Sequence, residues 1–359
     1  LALKNQLNFL ETNTQVRNIA ILAQIILTIP DGTEWIPILH QKMLQWSQTE
    51  EANNEDYRQS SGKLTEKKIA TQAFKFYLQL LQKLQLTIQL NDAIQLTKYG
   101  AVFKKCTPNS SQLSYYHTPY QQLFWLFWLF KHDYDPLLVL LQILEKTTIP
   151  CKEITIRQQY AMSWQQHLLA LEQMPYCSTY LKHQIDDQLQ MAHNTNPQPT
   201  AFKHIVPNRL DWLRYLQLIS KDKNGFCITP KGKQIISLCQ QNKHTLPYDA
   251  LVVLFIPQLT NLPIWKDLTS ERKHQIWQAN IKQYYYQMGY DKEGAGRVAA
   301  NPCFLYLCLY GIANQQYIAT IADWEQFLQQ PLSIGNLTYT HRKAVHDNEN
   351  YITIASNSL

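Results

Sequence analysis

The chain has 359 residues, 45% of them hydrophobic and 12% aromatic, and a formal net charge of +6. Disordered chains are poor in aromatics and highly charged, so 21 Tyr, 12 Phe and 9 Trp exclude that class and predict a compact fold of two or three domains. Ten glycines are too few for an all-β fold or for the phosphate loops of most nucleotide enzymes, which leaves a mainly helical protein carrying small β-hairpins.

Residues 13–29 place Val16, Ile19, Ile21, Leu22, Ile25, Ile26 and Ile29 at helical intervals before Pro30-Asp31-Gly32, which predicts a buried helix with a clear end. Thr33 is expected to cap a second helix containing Trp35, Ile38, Leu39, Met43, Leu44 and Trp46. Residues 47–63 are polar and without periodicity and read as a surface loop. A third helix over 66–84 leads into alternating residues 86–90, an Asn91-Asp92 turn, alternating residues 94–96, and a new helix from Thr97. Helix, hairpin, helix is the ending of a winged-helix unit, because a two-stranded hairpin is marginal alone and must lay its apolar side on a helical core.

Residues 115–144 read as two aromatic helices broken at 131–136, an expected interdomain core, followed by helices over 153–174 and 177–191. The run HNTNPQPT at 193–200 is the best domain boundary. Residues 201–239 then repeat the winged-helix plan. A helix over 205–216 gathers Ile205, Val206, Leu210, Trp212, Leu213 and Leu216 on one side and leaves Asn208, Asp211, Arg214 and Tyr215 outward. Arg209 falls inside the apolar arc and departs from that assignment. Residues 221–225 form a hairpin tip carrying Lys221 and Lys223. Beyond Pro247 come helices over 270–288, 302–314 and 322–330, and a terminal hairpin of 337–344 with 351–355. Four units follow: a helical and winged-helix unit (1–110), an aromatic connector (111–195), a second winged-helix unit (196–245), and a helical region with a terminal hairpin (246–359).

The apolar stretch 123–130 is interrupted by Lys131, His132, Asp133 and Asp135 before 137–144, and neither half can cross a bilayer. No secretory signal begins the chain, so a soluble, cytoplasmic protein is expected; it starts at Leu1 rather than Met, which leaves a preceding segment open. Seven cysteines without a CxxC pair read as reduced thiols, and the eleven histidines show no ligand spacing, so no metal and no cofactor is indicated. No catalytic nucleophile has a local partner pattern. The nearest approach to a nuclease trio, Asp249 with Glu271-Arg272-Lys273, opens a helix after Ser270 instead of lying on strands. Residues 289–297 lack the Lys-Ser/Thr ending of a phosphate loop.

Binding to duplex DNA needs cations that track phosphates and a helix that enters a groove. The second winged block offers Lys203 and His204 at its helix start, Asn208 and Arg214 on the outward face, Lys221 and Lys223 on the wing, and Lys231 with Lys233 at the next helix start. The first block carries Lys67, Lys68 and Lys75, preceded by acidic Glu50, Glu51, Glu55 and Asp56, and a later cluster of Lys98, Lys104 and Lys105.

The runs RLDWLRYLQLI (209–219) and ITPKGKQII (228–236), with IQLTKYGAVF (94–103) and LFWLFWLFKHDYDPLLVLLQIL (123–144), resemble the winged-helix subdomains of the recognition regions of type IIS restriction endonucleases and related nicking enzymes. The likeness covers residues 61–245. It implies a protein that reads a short DNA sequence, while the cleavage domain of such enzymes is not recognisable in this chain. The resemblance therefore implies a recognition or adaptor subunit of a restriction or phage-defence assembly, with double-stranded DNA and a nuclease- or ATPase-bearing protein as partners and no membrane. Two alternatives are a scaffold that bridges a large complex, supported by the aromatic run 124–130 and the modest charge, and a metal-dependent nuclease built on Asp249.

Overall fold

The computed structural model describes residues 6–65, 70–107, 118–147, 149–174, 177–193, 202–242, 245–259, 261–287, 296–342 and 350–356. The protein is mainly helical with small antiparallel sheets, as composition and periodicity predict. Asn18 caps α1 (Ile19–Thr28) by accepting the Ala20 N–H at 2.9 Å, so residues 13–18 precede the helix. Thr33 caps nothing; it begins strand β1 (Thr33–Trp35), which gains its partner from a segment sixty residues further on. The expected loop at 47–63 is largely helical. α2 (Ile36–Asn53) continues through it and α3 (Glu55–Gln59) follows, with Ser47 and Tyr57 buried and their hydroxyls bonded to each other. A polar helix of this kind has propensity but no apolar period to announce it.

α4 (Ala70–Lys83), β2 (Thr87–Leu90), β3 (Ala93–Leu96) and α5 (Lys98–Cys106) complete the first unit. Its sheet has the order β1-β3-β2, so β1 lies against the hairpin's second strand and closes the sheet over the helices. α6 (Pro119–Lys146) is the central helix. It is kinked at Asp133, whose φ of −135° and ψ of 31° leave the helical region three residues before Pro136, inside the break expected at 131–136. Tyr120, Phe124, Trp125, Trp128 and Phe130 are buried and Phe127 is partly so, which makes this aromatic run mostly core.

α7 (Glu153–Glu172) and α8 (Thr179–His193) come next, and α9 (Phe202–Tyr215), β4 (Ile219–Lys221), β5 (Phe226–Ile228) and α10 (Pro230–Gln241) form the second unit. Most of the expected boundary at 193–200 lies outside the described residues. α11 (Tyr248–Phe255), α12 (Ser270–Gln287), β6 (Arg297–Ala299), α13 (Ala300–Ala313), α14 (Ile321–Phe327), β7 (Leu332–Ile334), β8 (Leu337–Arg342) and β9 (Tyr351–Ser356) follow. The terminal hairpin is the centre of a four-stranded sheet of order β6-β9-β8-β7; its turn, 343–349, lies outside the described residues. One buried apolar cluster extends from Leu7 to Ile352. All seven cysteines are free and five are buried. Among the described residues no helix is long and apolar enough to cross a membrane.

Candidate nucleic-acid interface

The two hairpin units share one joint. Gln85 and Gln217 each take a left-handed conformation, with φ of 56° and 61°, after α4 and α9. The Leu86 N–H reaches the Leu81 carbonyl and the Leu218 N–H the Leu213 carbonyl, both at 2.9 Å, which closes the two helix ends. Thr97 and Thr229 donate their hydroxyls to the Gln85 and Gln217 carbonyls at 2.7 and 2.8 Å and cap the following helices through the Gly100 and Gly232 N–H groups. A Cβ on Gly100 or Gly232 would meet the Leu86 or Leu218 carbonyl oxygen at 2.1 or 2.2 Å, so both helices approach their hairpins only through glycine. Each of these positions recurs 132 residues later, from Gln85 to Gln217, Thr97 to Thr229 and Gly100 to Gly232. The echo extends to the third strand. β1 pairs with β3 in the first unit, and in the second, among the described residues, Cys151 alone pairs with Phe226 through two 2.9 Å bonds. Gly225, with φ of 148°, admits this close approach, since a Cβ there would lie 2.5 Å from the Cys151 backbone.

The second hairpin tip is open. Lys221, Asp222, Lys223 and Asn224 are exposed, and neither lysine forms an ion pair among the described residues. Asp222 is engaged by its own turn, its Oδ1 accepting the Asn224 and Gly225 N–H groups at 2.7 and 3.0 Å. Lys221 Nζ lies 5.1 Å from the centre of the Phe226 ring. His204 and Arg214 are exposed on α9 and Lys233 on α10; the Lys203 side chain lies outside the described residues.

Two expected contacts are elsewhere. Asn208 is fully buried, donating to Thr12 Oγ1 at 3.1 Å and to the Asn13 carbonyl, because the segment before α1 crosses the face of α9 that was expected to be open. Lys231 tucks its Nζ 4.3 Å over the Phe255 ring, with no hydrogen-bond partner among the described residues, and burial lowers its pKa to about 8. Neither side chain is placed to reach a phosphate.

Arg209, the misfit in the apolar arc, explains how α9 is covered. Its guanidinium is fully buried and bidentate on Asp133, Nε to Oδ2 at 2.7 Å and a terminal nitrogen to Oδ1 at 2.8 Å. It also donates to the Leu10 carbonyl at 2.6 Å, while the Leu10 N–H donates to Asp133 Oδ1 at 2.8 Å. Asp135 accepts the Asn8 N–H at 2.9 Å and meets His167 Nε2 at 2.9 Å. Trp212 Nε1 bonds the Val16 carbonyl at 3.0 Å. Residues 7–16 therefore form a strap across α9, held by the carboxylates that the kink in α6 turns inward. Burial raises the Asp133 carboxyl against the pull of Arg209. A cation within an apolar arc and two carboxylates within an aromatic run were the signals for this network.

Where α9 ends, its outward face meets the first unit across a polar cleft of about 500 Å³, lined among others by Arg17, Asn18, Ser60, Asp211, Arg214 and Tyr215. Asp211 stands between Arg17 at 3.4 Å and Arg214 at 3.5 Å. Burial raises its pKa even so, with the two guanidinium groups pulling the other way.

Lys104 and Lys105 both pair with Asp31, which lies on the turn after α1, and hold its carboxyl below the usual range. Lys75 and Lys98 are exposed, and Lys67 and Lys68 lie outside the described residues. Asp249 has a structural duty: its carboxylate accepts the Ile321 and Ala322 N–H groups at 2.6 and 3.1 Å at the start of α14. Among the described residues no group of three His, Cys, Asp or Glu side chains is placed to hold a metal ion. No family model, no curated protein and no solved structure matches this chain.

Proposed function

We propose that the protein binds nucleic acid through the second hairpin unit, as a recognition or adaptor subunit of a restriction or phage-defence assembly whose catalysis resides in a separate protein. The observation that carries the reading is the exposed pair Lys221 and Lys223 on a tip whose one carboxylate is turned to its own backbone, with exposed Arg214 on the adjoining helix. Phosphate attraction supplies most non-specific affinity, and cations without acidic partners are the groups that deliver it. Because the strap covers the middle of α9, the contact proposed is with the DNA backbone at the tip and at the end of α9. Groove reading along the whole helix is not part of it.

Replacing Lys221 and Lys223 together with Ala weakens binding by a similar factor on duplexes of different sequence and lowers the slope of log affinity against log salt by about 2, one unit for each phosphate deprived of its lysine. Fluorescence anisotropy across a salt series measures both. Unchanged affinity and slope in the double variant refute the reading.

A protein partner is favoured at a different place. Trp35, Ile38, Ile88 and Leu90 are exposed on the first unit, and cross-strand register places Trp35 and Leu90 on either side of Ala93. This sheet face takes over the support that the buried aromatic run of α6 cannot give to the scaffold reading.

A further inference from the structure

The cleft between the two units has a chemistry that the hairpin tip does not use. Asp211 is mostly buried, yet its Oδ2 accepts no hydrogen bond among the described residues: Arg17 stands at ion-pair distance but out of line for one. A buried acceptor without a donor is a costly arrangement unless something else supplies the donor. Arg214, at the exposed end of the same helical turn, has one carboxylate contact among the described residues, the 3.5 Å approach to Asp211. Gln59, Gln122 and Gln217 also line the cleft, and a glutamine amide can both donate and accept.

These features select among ligands. A plain anion would meet the guanidinium groups but also the carboxylates of Asp56 and Asp211, which leave the lining without net charge. A ligand with a phosphate at one end and amino donors at the other meets every group with its complement. The volume lies within the range of pockets that hold small ligands, about 300–1,000 Å³, and admits one nucleotide rather than a duplex. The cleft also opens beside the basic hairpin, close enough for the charge of Lys221 to act on Asp211.

We propose that this cleft holds one unpaired nucleotide of a bound strand, with its phosphate on Arg214 and the amino edge of its base on Asp211, which Arg17 steadies. The inference rests on the nucleic-acid reading above and adds to it a preference for a base bearing an exocyclic amino group. Cytosine and uracil separate this, because at C4 cytosine carries an amino donor where uracil carries a carbonyl acceptor, and at N3 cytosine accepts where uracil donates.

The test is calorimetric titration of the full chain with cytidine 5′-monophosphate and uridine 5′-monophosphate, alongside duplex binding by anisotropy. The cytidine nucleotide is expected to bind about tenfold more tightly, the worth of one charge-assisted hydrogen bond. Asp211→Asn abolishes that discrimination, since an amide can serve either base. Gln59→Trp, on the exposed face of α3, fills the cleft and removes binding of both nucleotides; thermal melting verifies that both variants fold. Absence of nucleotide binding by the unaltered protein, or a cytidine preference that survives Asp211→Asn, overturns the proposal whatever the duplex result. Loss of duplex binding alone, with the cytidine preference intact, overturns the hairpin reading and leaves the cleft standing.

Discussion

Two hairpins built on one joint, residues 87–96 and 219–228, face solvent with opposite chemistry. The first turns out Ile88 and Leu90 beside Trp35, and the second turns out Lys221 and Lys223. The joint is fixed by a left-handed glutamine, a capping threonine and a glycine in the same register, whereas the exposed strand positions differ in chemistry between the two hairpins. One scaffold therefore serves two kinds of surface. A second difference lies inside. At equivalent helix positions, Tyr77 accepts the Asn18 N–H at 3.1 Å and Arg209 grips Leu10 and Asp133. Both helices fasten the segment before α1, one with a neutral hydroxyl and the other with a buried charge.

That contrast yields the largest predicted effect. Asp133→Asn strands the Arg209 charge in the core and lowers stability by about 3–5 kcal/mol, whereas Tyr77→Phe loses about 1 kcal/mol; urea unfolding compares the two. Equal losses would mean that the ion pair is not what fastens the strap. Next in size, Gly100→Ala and Gly232→Ala each force a backbone carbonyl aside, at a cost of about 1–3 kcal/mol. The equivalence of the joints requires the two costs to agree, and a marked inequality in chemical denaturation would break it.

A smaller effect has the opposite sign. Lys231 has a folded pKa of about 8, below the ordinary lysine value of about 10.4, so the folded state binds fewer protons than the unfolded one between those values. Its charge therefore penalises folding below pH 8, and the penalty is relieved as pH rises toward 10.4. Lys231→Met is expected to gain about 1 kcal/mol at pH 7, after discounting for the part of the side chain that still meets water, and to gain nothing above pH 10.4. Melting curves across that range decide it; a gain independent of pH would assign the effect to packing. Smallest of all, Trp35→Ser with Leu90→Ser changes stability by less than about 0.5 kcal/mol. A larger loss in the melting temperature would show that this face is part of the fold rather than a surface left for a partner.

The hairpins were legible because local turn chemistry and alternation specify them: Asn91-Asp92, Asn224-Gly225 and two Thr-x-x-Gly starts are complete within a few residues. The kink in α6 was legible for the same reason, since Pro136 and the polar run before it cannot continue a helix unchanged. What escaped was long-range. β1 is three residues long and gains its identity from β3, Cys151 acts as a strand only because Gly225 lets it approach, and α2 and α3 have too polar a pattern to register. Asn208 read as outward because a helical wheel knows nothing of a strap from another part of the chain. Arg209 was the exception: a charge in an apolar arc demanded a partner, and Asp133, stranded among aromatics, was the one to seek. The cleft had no such signal, because Arg17 and Asp211 are brought together only by tertiary packing.

The bond from Arg209 to Leu10 joins residues 199 positions apart. During synthesis, residues 7–16 emerge well before α9 exists, so the Arg209 end of this bond is made long after the Leu10 end. Closing so long a loop is slow compared with forming local hairpins, so the final latching of the molecule belongs to this strap of ten residues and not to the duplicated units it ties down.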